Sequence, residues 1–150
     1  MIMDRQLEKY ILDHSTPEDP VLEDLYRQTH LRFVNPNMTC DFVQGKFLEM
    51  ISRMINPLYI LEIGTFTGYS SICLSRGLKN GGKLITVEPN DEIAEFTETF
   101  FEKAGVTAKI VAFNGRLQEM IGSINEELDL VYIDGDKREY CEYFRLIIDK

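Results

Sequence analysis

The spacing of hydrophobic and polar residues divides the chain into an N-terminal helical part and a longer part in which strands and helices alternate. Apolar residues recur at helical intervals over residues 4–13, 18–32 and 42–55, which predicts three amphipathic helices. Two prolines separate the first helix from the second, and a loop rich in turn formers at 34–41 precedes the third.

From residue 57 onward the pattern is regular. Short apolar runs predict strands at 58–63, 83–88, 108–113 and 128–134. Helices are predicted near 69–79, from a cap at Asn90 to Lys103, at 116–124 and at 137–149. Because short connections join the alternating elements, the strands should form a parallel sheet with right-handed crossovers. We predict one domain over 1–150, with a Rossmann-like, doubly wound α/β core over 57–150 behind N-terminal helices over 1–56.

Composition narrows the class of protein. Hydrophobic residues make up 44% and charged residues 27%, which are ordinary values for a globular domain. The net charge of −9 argues against broad binding to nucleic-acid phosphates. No apolar run approaches the roughly 20 residues that span a bilayer, and acids among the first apolar residues are unlike a signal peptide. Without such an apolar run, we expect no binding to a membrane. The three cysteines lack disulfide or zinc spacing, so we expect a cytoplasmic protein.

The stretch Leu61–Ser70, LEIGTFTGYS, carries the strongest candidate chemistry. It predicts a buried strand that runs through a glycine-bounded turn into a helix. In a doubly wound sheet, ligands bind beyond the carboxyl ends of the strands, where this turn, Glu88 and Asp134 should meet. A carboxylate at the position of Glu88 suits the two hydroxyls of a ribose.

The turn itself discriminates between nucleotides. A nicotinamide site needs a middle glycine that the turn lacks, and a P-loop needs a Gly-Lys-Ser/Thr sequence that is also missing. Glu62 would repel a pyrophosphate and favour a positive group, whereas Ser70 and the start of the helix favour a carboxylate. An adenosine that carries a zwitterionic amino-acid tail meets both demands, which predicts S-adenosylmethionine. The alternative is that Glu62 and Ser70 only cap the turn; Glu88 and Asp134 in register argue against it.

Two motifs extend this prediction to a family. The strings EIGTFTGYS and DGDKREY, with the order and spacing of residues 20–150 around them, resemble the cation-dependent O-methyltransferases of the caffeoyl-CoA and catechol type. The resemblance implies the class I methyltransferase fold that binds S-adenosylmethionine. It also implies methyl transfer to a hydroxyl of a small aromatic, catechol-like acceptor, assisted by a divalent cation (Mg²⁺, Mn²⁺ or Ca²⁺).

The resemblance assigns roles to individual residues. It places Met38 near the sulfonium, Thr39 at the methionine end of the cofactor and Leu117 against adenine, with the ribose on Glu88. The amino-acid tail of the cofactor would be held by Glu62, Gly64, Thr65 and Ser70. Asp134 would bind both the metal and the cofactor, and Lys137 would be the general base.

Without the resemblance, some of these residues have simpler interpretations. Lys137 would be a solvated lysine, and for Asp136 we favour an acid that caps the start of a helix. Arg116 departs from the family, in which a small residue is usual, and Gly135 replaces a usual alanine.

The family pattern continues beyond the position of Lys150 with a strand that supplies two further metal ligands. We therefore expect a shortened methyltransferase that keeps the cofactor cleft, loses most metal-dependent activity and self-associates, with a homodimer as the expected state. Two alternatives stay open: methylation of a hydroxylated uridine in tRNA, and a form that binds the cofactor without catalysis.

Overall fold

The computed structural model describes residues 4–148. The α-helices are α1 (Arg5–His14), α2 (Pro20–Arg32), α3 (Phe42–Ile55), α4 (Tyr69–Ser75), α5 (Ala94–Lys103), α6 (Leu117–Met120) and α7 (Tyr140–Ile147). The strands are β1 (Tyr59–Ile63), β2 (Lys83–Glu88), β3 (Ile110–Asn114) and β4 (Leu130–Ile133). Short 3₁₀ helices occupy Pro36–Met38, Asp91–Ile93, Ile121–Ser123 and Lys137–Glu139. Every predicted element is therefore present. Two predictions fall partly outside the described residues: the end of the last helix at Asp149, and the first three residues of the N-terminus that is unlike a signal peptide.

Aspartates define where the N-terminal helices begin. The side chains of Asp4, Asp19 and Asp41 each accept a hydrogen bond of 2.8 Å from a backbone amide in the first turn of α1, α2 and α3. Asn90 does the same for the 3₁₀ turn that leads into α5, as predicted.

Helix α4 is shorter than predicted because α3 packs against its last turn. The Ser52 hydroxyl on α3 donates to the Leu74 carbonyl at 2.6 Å, which satisfies a carbonyl at the end of the helix. A Cβ at Gly77 would lie 2.2 Å from Ser52 Oγ, so the chain passes α3 at a distance that only glycine allows. The segment after Ser75 is therefore a turn, and Lys79 N donates to the Pro57 carbonyl at 2.9 Å.

The four strands form one parallel sheet in the order β3-β2-β1-β4. Ile60 of β1 lies opposite Leu84 of β2 and Leu130 of β4. The parallel, doubly wound sheet of the sequence prediction is confirmed. Within the described residues, the other edge of β4 pairs with no strand.

Helices cover both faces of the sheet. On one face, α2 to α5 bury a cluster that includes Leu25, Ile72 and Phe100. On the other, α6 and α7 bury Leu117 and Ile147 against β1 and β2. Each such side chain contributes about 1.5–3 kcal/mol when fully removed from water, so the N-terminal helices are part of the main core. No helix in residues 4–148 has the length and apolarity to cross a membrane.

Candidate active site

A cleft of about 390 Å³ opens at the carboxyl ends of the four strands. Its wall includes residues that follow each strand: Gly64 after β1, Glu88 at the end of β2, Gly115 after β3 and Asp134 after β4. This is where parallel, doubly wound sheets bind their ligands. The loop before α3 adds a further side of the wall through Met38, Thr39 and Cys40.

The glycine turn and the end of β4 meet at Gly64. Its φ of +100° lies in the left-handed region, and a Cβ there would stand 2.6 Å from the Asp134 carbonyl oxygen. The backbone is held on both sides, because Gly64 N donates to the Val87 carbonyl at 3.0 Å and Asp134 N donates to the Ile63 carbonyl at 2.9 Å. Glycine is therefore required for this approach, which brings Asp134 into the cleft.

Glu88 is held by backbone amides at the edge of the cleft. Phe66 N donates to Oε2 at 2.8 Å, and Asn90 N donates to Oε1 at 3.1 Å. Phe66 adopts a φ of +44°, which is uncommon for a residue other than glycine and aims its amide at Glu88. Since each carboxylate oxygen has two lone pairs, both oxygens can still accept a hydrogen bond from a ligand hydroxyl.

Beneath the turn, Glu62 lies in a buried network of hydroxyl groups. It is fully buried, and its Oε2 accepts hydrogen bonds from Ser71 and, at 2.7 Å, from Thr86. Thr86 donates its only hydroxyl proton to Glu62. In the hydrogen bond between the two threonines, Thr65 is therefore the donor and Thr86 the acceptor. The Thr65 hydroxyl therefore points into the network, and its backbone is the part of Thr65 available to a ligand.

The environment of Glu62 opposes its ionisation. Burial raises its pKa to about 7, although the nearby hydroxyls of Ser70, Ser71 and Thr86 act in the other direction. Its second oxygen, Oε1, has no hydrogen-bond partner of good geometry among the described residues. A buried acceptor without a donor is costly.

Most of the residues that the sequence assigned to the cofactor line this cleft. They are Thr39, Gly64, Thr65, Ser70, Glu88, Leu117 and Asp134, together with Met38. Glu62 and Lys137 are not part of the cleft wall: Glu62 lies in the buried network, and Lys137 is exposed. The role of Lys137 as a general base stays a prediction.

Several residues of the wall were not expected from the sequence. Thr67 receives a hydrogen bond of 3.1 Å from Thr29 of α2, and its hydroxyl lies 3.4 Å from that of Thr39. The signal for Thr67 was present, because it is a polar residue inside the glycine turn. The Tyr143 hydroxyl donates a hydrogen bond of 2.8 Å to the Glu139 carboxylate, and both residues line the cleft. Their inclusion depends on how α7 packs, which the sequence pattern does not specify.

The donors available for a divalent cation are few. The Asp136 carboxylate accepts hydrogen bonds from the backbone and the side chain of Arg138, which lowers its pKa to about 2 and confirms it as a capping acid. Among residues 4–148 no group of three or more His, Cys, Asp or Glu residues is arranged to hold a metal ion. Asp134 alone offers one carboxylate, whereas Mg²⁺ and Ca²⁺ need six or more oxygen ligands. The described residues do not form a cation site by themselves.

The chain matches the model of a protein family described as O-methyltransferase over residues 12–150. It is 34% identical over 150 aligned positions to caffeoyl-CoA O-methyltransferase 2 of Petunia hybrida, covering 95% of this chain and 62% of that protein. It is also 34% identical over 116 positions to the catechol O-methyltransferase of Niastella koreensis, covering 75% of this chain and 50% of that protein. The chain thus spans between one half and two thirds of the length of these two relatives.

Solved structures agree with the fold. An O-methyltransferase from Bacillus cereus in complex with S-adenosylhomocysteine superposes with a TM-score of 0.88 at 30% identity, over 96% of this chain and 67% of that one. TomG from Streptomyces achromogenes, an O-methyltransferase of tomaymycin synthesis in complex with S-adenosylmethionine, gives the same TM-score and identity, over 99% of this chain and 70% of that one. The fold is that of class I methyltransferases, and the chain belongs to the O-methyltransferase family.

Proposed function

We propose that the protein transfers a methyl group from S-adenosylmethionine to a hydroxyl of a small aromatic, catechol-like acceptor. The observation that carries the proposal is the Glu88 carboxylate, which two backbone amides hold at the edge of the cleft. The family and the ligands in the structures of its relatives support the choice of cofactor.

The cleft offers a place for each part of the cofactor. The free lone pairs of Glu88 would accept the two ribose hydroxyls, and the buried side chain of Leu117 would lie against adenine. Ser70 lines the cleft and would donate to the carboxylate of the cofactor, whereas Glu62 lies outside the cleft wall and its contact with the ammonium group stays a prediction. Met38 and Thr39 would enclose the sulfonium end, where the acceptor has to enter.

Methyl transfer is an in-line displacement at carbon. The acceptor oxygen forms a bond to the methyl carbon while the carbon–sulfur bond breaks, and S-adenosylhomocysteine leaves with the electron pair. The hydroxyl proton must pass to a base, and we assign that role to Lys137, as the family resemblance implies. A divalent cation, when bound, would lower the pKa of the acceptor hydroxyl. Asp134 is the described residue that would contribute to its binding.

The acceptor class rests on the names of the relatives, which refer to catechol and to caffeoyl-CoA. Met38 and Cys40 give this side of the cleft an apolar character that suits an aromatic ring. Burial raises the pKa of the Cys40 thiol, so it stays protonated and acts as an apolar side chain.

We infer the cellular setting from the cysteines. Cys40, Cys73 and Cys141 are all free thiols in the structure, which supports a reducing compartment, and we infer the cytoplasm. The homodimer expected from the sequence stays a prediction.

The test is methyl transfer from labelled S-adenosylmethionine to catechol, with Mg²⁺, Mn²⁺ or Ca²⁺ added in separate reactions. We expect methylated catechol and an equal amount of S-adenosylhomocysteine. In a longer form that carries the further strand of the family pattern, Lys137→Met should lower turnover by roughly 10²–10⁴-fold with cofactor affinity nearly unchanged, the usual contribution of a positioned base. Lys79→Met, an exposed lysine outside the cleft, is the matched control. Binding of the cofactor without any turnover would favour the alternative of a binding protein.

A further inference from the structure

Three residues form a hydrogen-bonded chain from α3 to the cleft. Gln44 Nε2 on α3 donates to the Tyr132 hydroxyl at 2.9 Å, and this hydroxyl donates to Asp134 Oδ2 at 3.2 Å. Tyr132 lies in β4 and Asp134 is the first residue after the strand, and the hydrogen bond shows that the two side chains lie on the same side of the chain. The chain ends on a carboxylate that lines the cleft.

The direction of the hydrogen bonds is fixed by chemistry. The Gln44 amide nitrogen can only donate, so the Tyr132 oxygen accepts from it and gives its single proton to the carboxylate. The Tyr132 hydroxyl is therefore the donor to Asp134.

The Asp134 side chain depends on this donor for its orientation. Its backbone is fixed by the Ile63 carbonyl and by contact with Gly64. Within residues 4–148, Tyr132 is the only group that hydrogen-bonds to its carboxylate, which is otherwise exposed to the cleft. An exposed carboxylate without such a bond would turn freely about its side-chain torsions.

Both donors are themselves held in place. The Tyr132 ring is half-buried and packs, with Leu130, against the core on the α3 side of the sheet. The Gln44 backbone is fixed in the first turn of α3 by the Asp41 cap at 2.8 Å. The loop that carries Met38 and Thr39 leads directly into this turn, so the acceptor side of the cleft is connected to Asp134.

We propose that Tyr132 is a positioning residue, which holds the Asp134 carboxylate toward the bound cofactor, and that Gln44 secures the Tyr132 hydroxyl. The inference rests on the proposed function, because Asp134 matters only if the cofactor occupies the cleft. Tyr132 of β4 and Gln44 of α3 would thus support cofactor binding without touching the ligand.

The experiment is a double-mutant cycle on the affinity for S-adenosylhomocysteine, measured by titration calorimetry. Tyr132→Phe keeps the ring and removes only the hydroxyl, and it should weaken binding by roughly 3- to 10-fold, as expected for the net contribution of one ordinary hydrogen bond that acts on the ligand through another residue. Asp134→Asn should weaken binding as well. Adding Tyr132→Phe to Asp134→Asn should cause no further loss, because Tyr132 acts through Asp134.

Tyr59→Phe is the matched control, since Tyr59 lies on β1 at the end of the sheet opposite the cleft. It should bind S-adenosylhomocysteine as the native chain does. In the methyl-transfer assay, Tyr132→Phe should raise the KM for S-adenosylmethionine with kcat changed less than about twofold, whereas a damaged fold would lower kcat.

Native affinity in Tyr132→Phe, or losses that add in the double variant, would overturn the inference and leave the proposed function intact. A native chain that binds no S-adenosylhomocysteine would overturn both.

Discussion

Glu62 combines complete burial with an oxygen that has no hydrogen-bond partner among residues 4–148, and this makes stability depend on pH. Its pKa is about 7 in the folded chain against an ordinary value of 4.5. Between these two values the unfolded chain releases the proton and the folded chain keeps it. The contribution of Glu62 to the free energy of unfolding therefore falls as the pH rises through this window, and it is constant above pH 7.

Glu62→Gln removes this dependence, because the amide cannot ionise. Relative to the native chain, the variant should gain roughly 2–3 kcal/mol in free energy of unfolding between about pH 4.5 and pH 7.5. Urea denaturation of both chains at several pH values measures the difference. Two curves that run parallel across the window would mean that Glu62 is ionised in the folded chain.

Gly64 tests the contact between the glycine turn and Asp134. Gly64→Ala places a Cβ 2.6 Å from the Asp134 carbonyl oxygen and demands a φ of +100°, so it combines a backbone clash with conformational strain. Gly105→Ala is the control, because its φ is +67° and no atom lies within 4 Å of the added Cβ. The control should lose about 1 kcal/mol and Gly64→Ala at least about 2–3 kcal/mol in urea denaturation. Equal losses would show that the turn can move away from β4.

At the scale of elements, three helices meet in one ion cluster. Arg76, after α4, pairs with Asp19 at the start of α2 and with Glu49 of α3 at 3.4 Å. Its side chain is only 19% exposed, and both partners are also partly buried, so the charges are shielded from water. Such a cluster fixes the N-terminal helices against the domain more firmly than a surface pair does.

Arg76→Met should lower the free energy of unfolding by about 2–4 kcal/mol, because it leaves the partly buried Asp19 without its cation and Glu49 with only the exposed Arg53. Arg53→Met removes the exposed partner of Glu49 within α3 and should cost no more than about 0.5 kcal/mol. Thermal unfolding of both variants makes the comparison. Similar small losses in the two would mean that the cluster is hydrated.

The elements themselves were predictable, because their signals are local. Hydrophobic runs of strand length predicted all four strands. The asparagine before α5 and the aspartates at the starts of α1 to α3 cap their helices through hydrogen bonds that span only two or three residues of the chain. The early end of α4 was not predictable, because Ser52 of a different helix takes part in it. Boundaries that depend on tertiary contacts are invisible to a pattern along the chain.

The candidate site was also predictable only where the signal is local. Glu88 and Asp134 could be placed in the cleft from their positions at strand ends, since parallel strands deliver their carboxyl ends to one edge. The burial of Glu62 and the chain from Gln44 to Asp134 could not be predicted, because each joins residues far apart in sequence. Lys137 follows Asp134 closely along the chain and yet lies outside the cleft wall, so its role stays a prediction.

For the whole molecule, the central claim is that the cleft binds the adenosine of S-adenosylmethionine through Glu88. Titration calorimetry with S-adenosylhomocysteine tests it most directly, with Glu102→Ala, an exposed acid on α5, as a control of equal charge change. We expect the native chain and Glu102→Ala to bind alike. Glu88→Ala should bind at least about tenfold more weakly, because two charge-assisted hydrogen bonds are lost. Unchanged affinity in Glu88→Ala would contradict the claim.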